Sequence, residues 1–156
     1  MKEILRKILL VIVISILPCN LYSTTIQTII IEKSNNTMKL LDENNSLIKE
    51  YSVRLGRNHG PKHCNGDMKT PEGVYSIIEK RSSKYGKFLA IDYPNYYDKK
   101  LAKKLKCKPG DSIGIHAWIN TLPRDGSQGC ITVWTKKEIL EINKLVSVGT
   151  KVIIKP

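Results

Sequence analysis

The chain has 156 residues, 41% apolar and 26% charged, with a net charge of +12. That balance excludes a disordered polymer, and the length suits one domain with a real hydrophobic core but not two. The positive charge admits two readings, an attraction to anionic polymers or a solvated lysine surface, and the scattered lysines leave both open.

Residues 1–23, MKEILRKILLVIVISILPCNLYS, read as a leader. Lys2, Arg6 and Lys7 precede an uncharged apolar run from Ile8 to Leu17. The run is too short for a bilayer span, which needs roughly 20 residues, and it matches a secretory signal. Ser23 offers a small residue for cleavage, although Leu21 fits that site poorly; an uncleaved N-terminal anchor is the alternative. Cys19 follows Pro18, which argues against lipid attachment. The remaining domain, 24–156, then works outside the cytoplasmic membrane and retains +10 of the charge. In that location nucleic acid is excluded as a partner, anionic envelope polymers are favoured, and any membrane contact comes through the leader.

Ile26–Glu32 is strand-like in its β-branched content. Ser34-Asn35-Asn36 makes a turn, Met38–Leu41 a short strand and Asp42–Ser46 a second turn. Leu47–Leu55 then completes an antiparallel meander. Gly56–Gly73 is a long Gly/Pro/Asn loop, of a length often reserved for function. Strands are expected at Gly73–Ile78 and Phe88–Asp92. Asn95 caps a helix with an apolar stripe of Leu101, Ala102 and Leu105, stopped by Pro109-Gly110. Ser112–His116 and Cys130–Val133 are further strands. Thr135 and Glu138 form a capping box for a second helix, whose buried face is Ile139, Ile142, Leu145 and Val146. Lys151–Ile154 is the closing strand. The fold class is mainly β with two short helices (α+β).

Without the leader the chain keeps Cys64, Cys107 and Cys130. An odd number implies a leftover thiol or an intermolecular bridge. A Cys64–Cys107 disulfide would leave Cys130 free, although sequence does not fix the connectivity. His59, His63 and Cys64 suggest a loop zinc site, but Gly60 and Pro61 break the helix that the histidine spacing requires.

The chemistry concentrates in Ser112–Trp134, SIGIHAWINTLPRDGSQGCITVW. A cysteine attacks acyl groups as thiolate, and a nearby imidazole can accept its proton. His116 ends one strand; Cys130 follows the turn Asp125-Gly126-Ser127-Gln128-Gly129 and opens another. Amides of Gly129 and Cys130 could face an oxyanion, and a backbone carbonyl such as that of Gly114 could orient the imidazole. Taken singly, Cys130 could equally be a small core residue and His116 a hydrogen-bonded core histidine.

From Ile26 to Pro156 the chain resembles the L,D-transpeptidase catalytic domain of the YkuD family. The resemblance is carried by Gly66-Asp67, KTPEGVY (Lys69–Tyr75), IDYPN (Ile91–Asn95), Pro109-Gly110, IGIH (Ile113–His116), DGSQGCITV (Asp125–Val133) and GTKV (Gly149–Val152). The cysteine motif is similar to the branch with an Asp-Trp-Thr-x-Gly-Cys pattern. The resemblance implies a mixed β-sandwich or barrel in which Cys130 and His116 are catalytic. The implied reaction opens the bond before the terminal D-alanine of a peptidoglycan tetrapeptide stem and forms a thioester on Cys130. An amine of a second stem resolves it to a 3–3 cross-link, and no metal or organic cofactor is needed. The same site could instead act as a hydrolase, as an L,D-carboxypeptidase or by releasing a wall-attached lipoprotein. A non-catalytic wall-binding module is the alternative of another class. Family positions mark Tyr75 and Asp67 as lining the cleft, and Ser127 and Gln128, next to the cysteine, are expected to contact substrate. Departures from the family pattern are Gln128 for a histidine, Thr132 for an arginine that Arg124 would replace in binding a carboxylate, Gly126 for the tryptophan, and Ala117 for a glycine, which would narrow the cleft.

Overall fold

A computed structural model describes residues 25–120 and 125–156. The leader and Arg124 lie outside the described residues. Eight strands close into a barrel: β1 (Ile26–Glu32), β2 (Thr37–Leu41), β3 (Leu47–Arg54), β4 (Gly73–Ser83), β5 (Gly86–Ile91), β6 (Gly114–Ala117), β7 (Ile131–Val133) and β8 (Val146–Lys155). Their order around the barrel is β1-β2-β3-β7-β6-β5-β4-β8, returning to β1. The expected meander is β1-β2-β3, joined by tight turns. The β1–β8 and β6–β7 pairs are parallel and the others antiparallel.

Alternation along each strand fills the barrel with Ile29, Ile31, Met38, Leu40, Val53, Leu89, Ile91, Ile115, Ile131, Val133, Val152 and Ile154, all at most 3% exposed. β4 and β8 run longer than the sequence suggests, because the β4–β5 hairpin continues past the core to Ser83–Gly86 and β8 pairs with two neighbours. β6 and β7 are buried at every position. Strands of an antiparallel barrel commonly have one wet face, so residues on the outer face of these two are covered by something other than the core.

Helix α2 (Lys136–Leu145) is capped by Thr135 and Glu138 as expected, and buries Ile139 and Ile142. Leu145 packs at the core edge, while Val146 is already the first residue of β8. Helix α1 (Tyr96–Lys104) differs from expectation. Asn95 caps it, but of its apolar stripe only Ala102 is buried; Leu101 and Leu105 are exposed. The helix lies against the barrel by one small residue, and four lysines on so short an element leave it solvated.

Loop 56–72, between β3 and β4, is densely bonded. Lys33 Nζ donates to Gly60 O, Thr70 O and Glu72 Oε1 at 2.6–3.0 Å. A Cys64–Cys107 disulfide ties the loop to the segment after α1, and Asn65 N donates to Lys108 O at 2.6 Å. The disulfide leaves Cys130 as the free cysteine among the described residues. It also removes the Cys64 thiolate that a loop zinc site would use.

The bridge spans 43 residues. A Cys64→Ala/Cys107→Ala variant is expected to lose about 3 kcal/mol of stability, a fall in Tm on the order of 10 °C. A calorimetric melt of the oxidised protein beside the double variant checks this; unchanged melting would mean that the loop's other bonds hold it alone.

Candidate active site

Parallel pairing of β6 with β7 sets Ile115 against Ile131 and His116 against Thr132. Residues opposed in a ladder share a face, and those two apart along a strand share it too. Ile115, Ala117, Ile131 and Val133 point into the core. Gly114, His116, Cys130 and Thr132 therefore belong to the outer face, with Cys130 just before β7 begins. By strand geometry the diagonal from Cys130 to His116 spans roughly 8 Å between Cα atoms, within which two side chains can meet. Both residues line one cavity of about 470 Å³, together with Lys62, Asn65, Tyr85, Asp111 and Gln128. A second cavity of about 520 Å³ borders the same turn at Asp125 and Gly126 and contains neither Cys130 nor His116.

His116 is 4% exposed. Phe88 of β5 is its cross-strand partner, with ring centroids 5.7 Å apart and nearly parallel. Tyr85, from the β4–β5 hairpin tip, covers the imidazole at 4.2 Å. Nδ1 lies 2.9 Å from Ala117 O. A carbonyl only accepts, so the neutral ring carries its proton on Nδ1 and leaves the Nε2 lone pair free. The orienting carbonyl is thus that of Ala117, not Gly114. Burial pushes the imidazole pKa below its ordinary value, against the opposing pull of the Ala117 carbonyl.

The Cys130 thiol is half-buried over the backbone entering β6. Its Sγ donates to Ser112 O at 3.5 Å. Burial pushes the thiol pKa up; the Gly114 backbone and the positive charge of Lys62 pull it partly back. Gly114 therefore contributes to the site at the sulfur and not at the imidazole. A Cβ at Gly114 would come within 2.5 Å of Leu89 O and 2.7 Å of the Phe88 ring, so glycine lets the strands close there.

The turn before Cys130 is held from within. Ser127 Oγ donates to Cys130 O at 2.6 Å and accepts from Gly129 N at 2.9 Å. Ser127 lines the cavity, as expected, but it is buried and its hydroxyl is engaged in shaping the turn. The Gly129 amide is likewise occupied, which removes it from the expected oxyanion donors and leaves that part to the Cys130 amide. Gly129 has φ 131°, and a Cβ there would strike Lys69 O at 2.6 Å. Gln128 is exposed at the cleft.

Tyr75 and Asp67 do not line this cavity. Tyr75 faces the core from β4, its hydroxyl 3.2 Å from both Glu72 O and Asp98 Oδ1. Asp67 organises loop 56–72: it accepts from Lys62 Nζ at 2.8 Å and from the backbone N–H groups of His63, Cys64 and Lys69. Burial alone would raise its carboxyl pKa; Lys62 and the three amides overcome that and hold it down at about 2. Ala117 points into the core, so it does not narrow the cleft.

Residues that the sequence did not reveal are Lys62, Asn65, Tyr85 and Phe88. The ladder also forms one transverse row, Arg54, Thr132, His116, Phe88 and Arg81. Arg54 thus stands opposite Thr132, its guanidinium over the rings of Trp118 and Trp134 at 4.8 and 4.1 Å. A strand register counted outward from His116 would have found Phe88; a buried lysine has no sequence signal.

Comparison with known proteins agrees with this architecture. The chain is 34% identical over 99 residues to "Putative L,D-transpeptidase YafK" of Escherichia coli K12, an alignment covering 56% of this chain and 40% of that protein. Among solved structures it is similar to Bd1075 of Bdellovibrio bacteriovorus, with TM-score 0.64 and 26% identity over 85% of this chain and 49% of that one. It shares its fold with the helical cell shape determining protein Pgp2 of Campylobacter jejuni, with TM-score 0.64 and 23% identity over 83% of this chain and 47% of that one. The chain spans 40% of the curated relative and about half of these structures. The model of the L,D-transpeptidase catalytic domain matches residues 26–154, and the chain belongs to this YkuD family.

Proposed function

We propose that the protein is a cysteine acyltransferase of the cell envelope that acts on peptidoglycan tetrapeptide stems, with Cys130 as nucleophile and His116 as general base. The observation that carries this reading is the convergence of a free thiol and a neutral imidazole on one face of the β6–β7 pair, at one peptide-sized cavity. Family membership supports the substrate class.

In this mechanism His116 Nε2 takes the thiol proton as Sγ attacks the carbonyl carbon before the terminal D-alanine. The Cys130 amide donates to the developing oxyanion. The tetrahedral intermediate collapses, the C–N bond breaks, and the imidazolium returns its proton to the departing amine. An amine of a second stem then attacks the thioester and passes a proton to His116; the proton returns to sulfur as the C–S bond breaks. Ala117 O holds the imidazole in the tautomer this needs. Tyr85 and Phe88 fix the ring plane and keep water from one side. No step draws on a metal or organic cofactor. The leader read in residues 1–23 would deliver the domain 24–156 to the wall, and its basic surface would favour an anionic matrix.

The site at rest is neutral. Burial raises the thiol pKa and lowers that of the imidazole, so at pH 7 the pair is SH and uncharged imidazole, not thiolate and imidazolium. The proton moves during attack.

Cys130→Ala is expected to abolish D-alanine release, and His116→Gln to reduce it by about 10²–10⁴-fold. Both are measured on purified muropeptides with mass-spectrometric product analysis. Products joined 3–3 support transfer, shortened stems or released lipoprotein point to a hydrolase, and wild-type activity in Cys130→Ala would sink the reading. A carbapenem is expected to add its mass to the wild-type protein at Cys130.

A second expectation concerns pH. A base with a lowered pKa stays unprotonated further into acid, so the acid limb of kcat/KM should have its midpoint below the ordinary histidine value of about 6.5. Alkylation of Cys130 by iodoacetamide should climb through a midpoint above about 8.5. An alkylation rate already at plateau by pH 6 would reveal a preformed ion pair and contradict the neutral resting state.

A further inference from the structure

We propose that Lys62 is the residue that receives the terminal carboxylate of the substrate beside Cys130. The inference rests on the acyl-transfer reading and adds a recognition element to it.

Lys62 is 6% exposed, an unusual condition for a lysine, which is almost never fully buried unless paired. Its ammonium donates to Asp67 Oδ1 at 2.8 Å and to Cys64 O at 3.1 Å. An ammonium has three protons; these partners take two, and Lys62 forms part of the wall of the Cys130–His116 cavity. Asp67 balances the charge of this cation while its carboxylate is shared with three backbone amides, and the third ammonium proton is left for another acceptor. Its low pKa keeps that anchor ionised through any pH the protein is expected to meet. The disulfide at Cys64 and the Asn65–Lys108 bond fix the backbone on either side.

Among the described residues lining the cavity, Lys62 is the one lysine or arginine, and Asp111, exposed at the rim, the one carboxylate. The spare proton of a charged ammonium at the wall thus favours an anionic acceptor inside. Its position selects which anion. Lys62 and Cys130 line the same cavity, and the positive charge of Lys62 acts on the thiol. In a peptide whose last bond is attacked, the terminal carboxylate lies roughly 4 Å from the attacked carbon. A longer leaving segment would present a neutral amide at that place and offer the remaining ammonium proton only an uncharged acceptor.

The test measures binding and not turnover. A tetrapeptide stem ending in D-alanine and its C-terminal amide are titrated calorimetrically into Cys130→Ala protein and into Cys130→Ala/Lys62→Gln protein. The first should bind the free acid about tenfold or more tightly than the amide, and Lys62→Gln should erase that gap. Glutamine keeps a hydrogen bond to Asp67, and a melt of each variant verifies the fold. Lys62→Arg, which retains the charge, should retain the preference. A gap that survives Lys62→Gln, a gap lost in Lys62→Arg, or equal binding of acid and amide by the first protein would overturn the assignment. The reaction is judged apart: wild-type protein that shows the gap yet releases no D-alanine refutes the acyl transfer while supporting Lys62 as a carboxylate site.

Discussion

The parallel contact between β6 and β7 is the constraint on which the site depends. These are short strands of four and three residues, joined by a long connection. Their register sends Ile115 and Ile131 inward together and His116 and Thr132 outward together. A slip by one residue would exchange the faces, burying the imidazole in the core and turning isoleucine outward. The core therefore fixes the chemistry: four apolar side chains that must be inside oblige the histidine and cysteine to be on the same outer surface. Tyr85, Phe88 and the Arg54–tryptophan cluster then cover that surface, so both strands are dry on both sides.

Dryness shapes the reactivity. A cysteine–histidine pair in water could separate its charges cheaply; here burial works against both charged forms at once. The surroundings answer with fixed dipoles and one held cation: the Ala117 carbonyl at one end, the Gly114 backbone and Lys62 at the other. Such groups are already oriented before a substrate arrives, which is the condition under which electrostatic stabilisation is most effective. Loop 56–72 belongs to the same arrangement. Asp67 is remote from the cavity lining yet governs it, because it holds Lys62 in place.

How much of this was legible in the sequence follows from the range of the interactions. The β1–β3 meander, both helix caps and the hydrophobic alternation are local, and composition with spacing reveals them. The pairings β1–β8 and β6–β7 join residues far apart in the chain, and nothing local announces them. The α1 stripe misled because Leu101 and Leu105 have the right period but no surface to cover. Cys130 and His116 stand out in the sequence because ordered motifs surround them, whereas Lys62 is one of many lysines in a basic chain. Its burial depends on a carboxylate five residues later and three amides that converge on it. Ser127 and Gly129 were read as facing substrate because they flank the cysteine, but their polar groups are turned on one another.

The closed order of the sheet has a consequence of another kind. Among the described residues each of the eight strands has a neighbour on both sides, but β3 meets β7 through Val53 and Arg54 alone and β4 meets β8 through Gly73–Ser76, so the outer parts of β3 and β4 keep one unpaired edge. Extended polypeptides are the ligands most able to stick to a sheet by main-chain pairing alone. β6 and β7, paired on both sides, deny them that mode of attachment beside His116, whereas the outer margins of β3 and β4 do not.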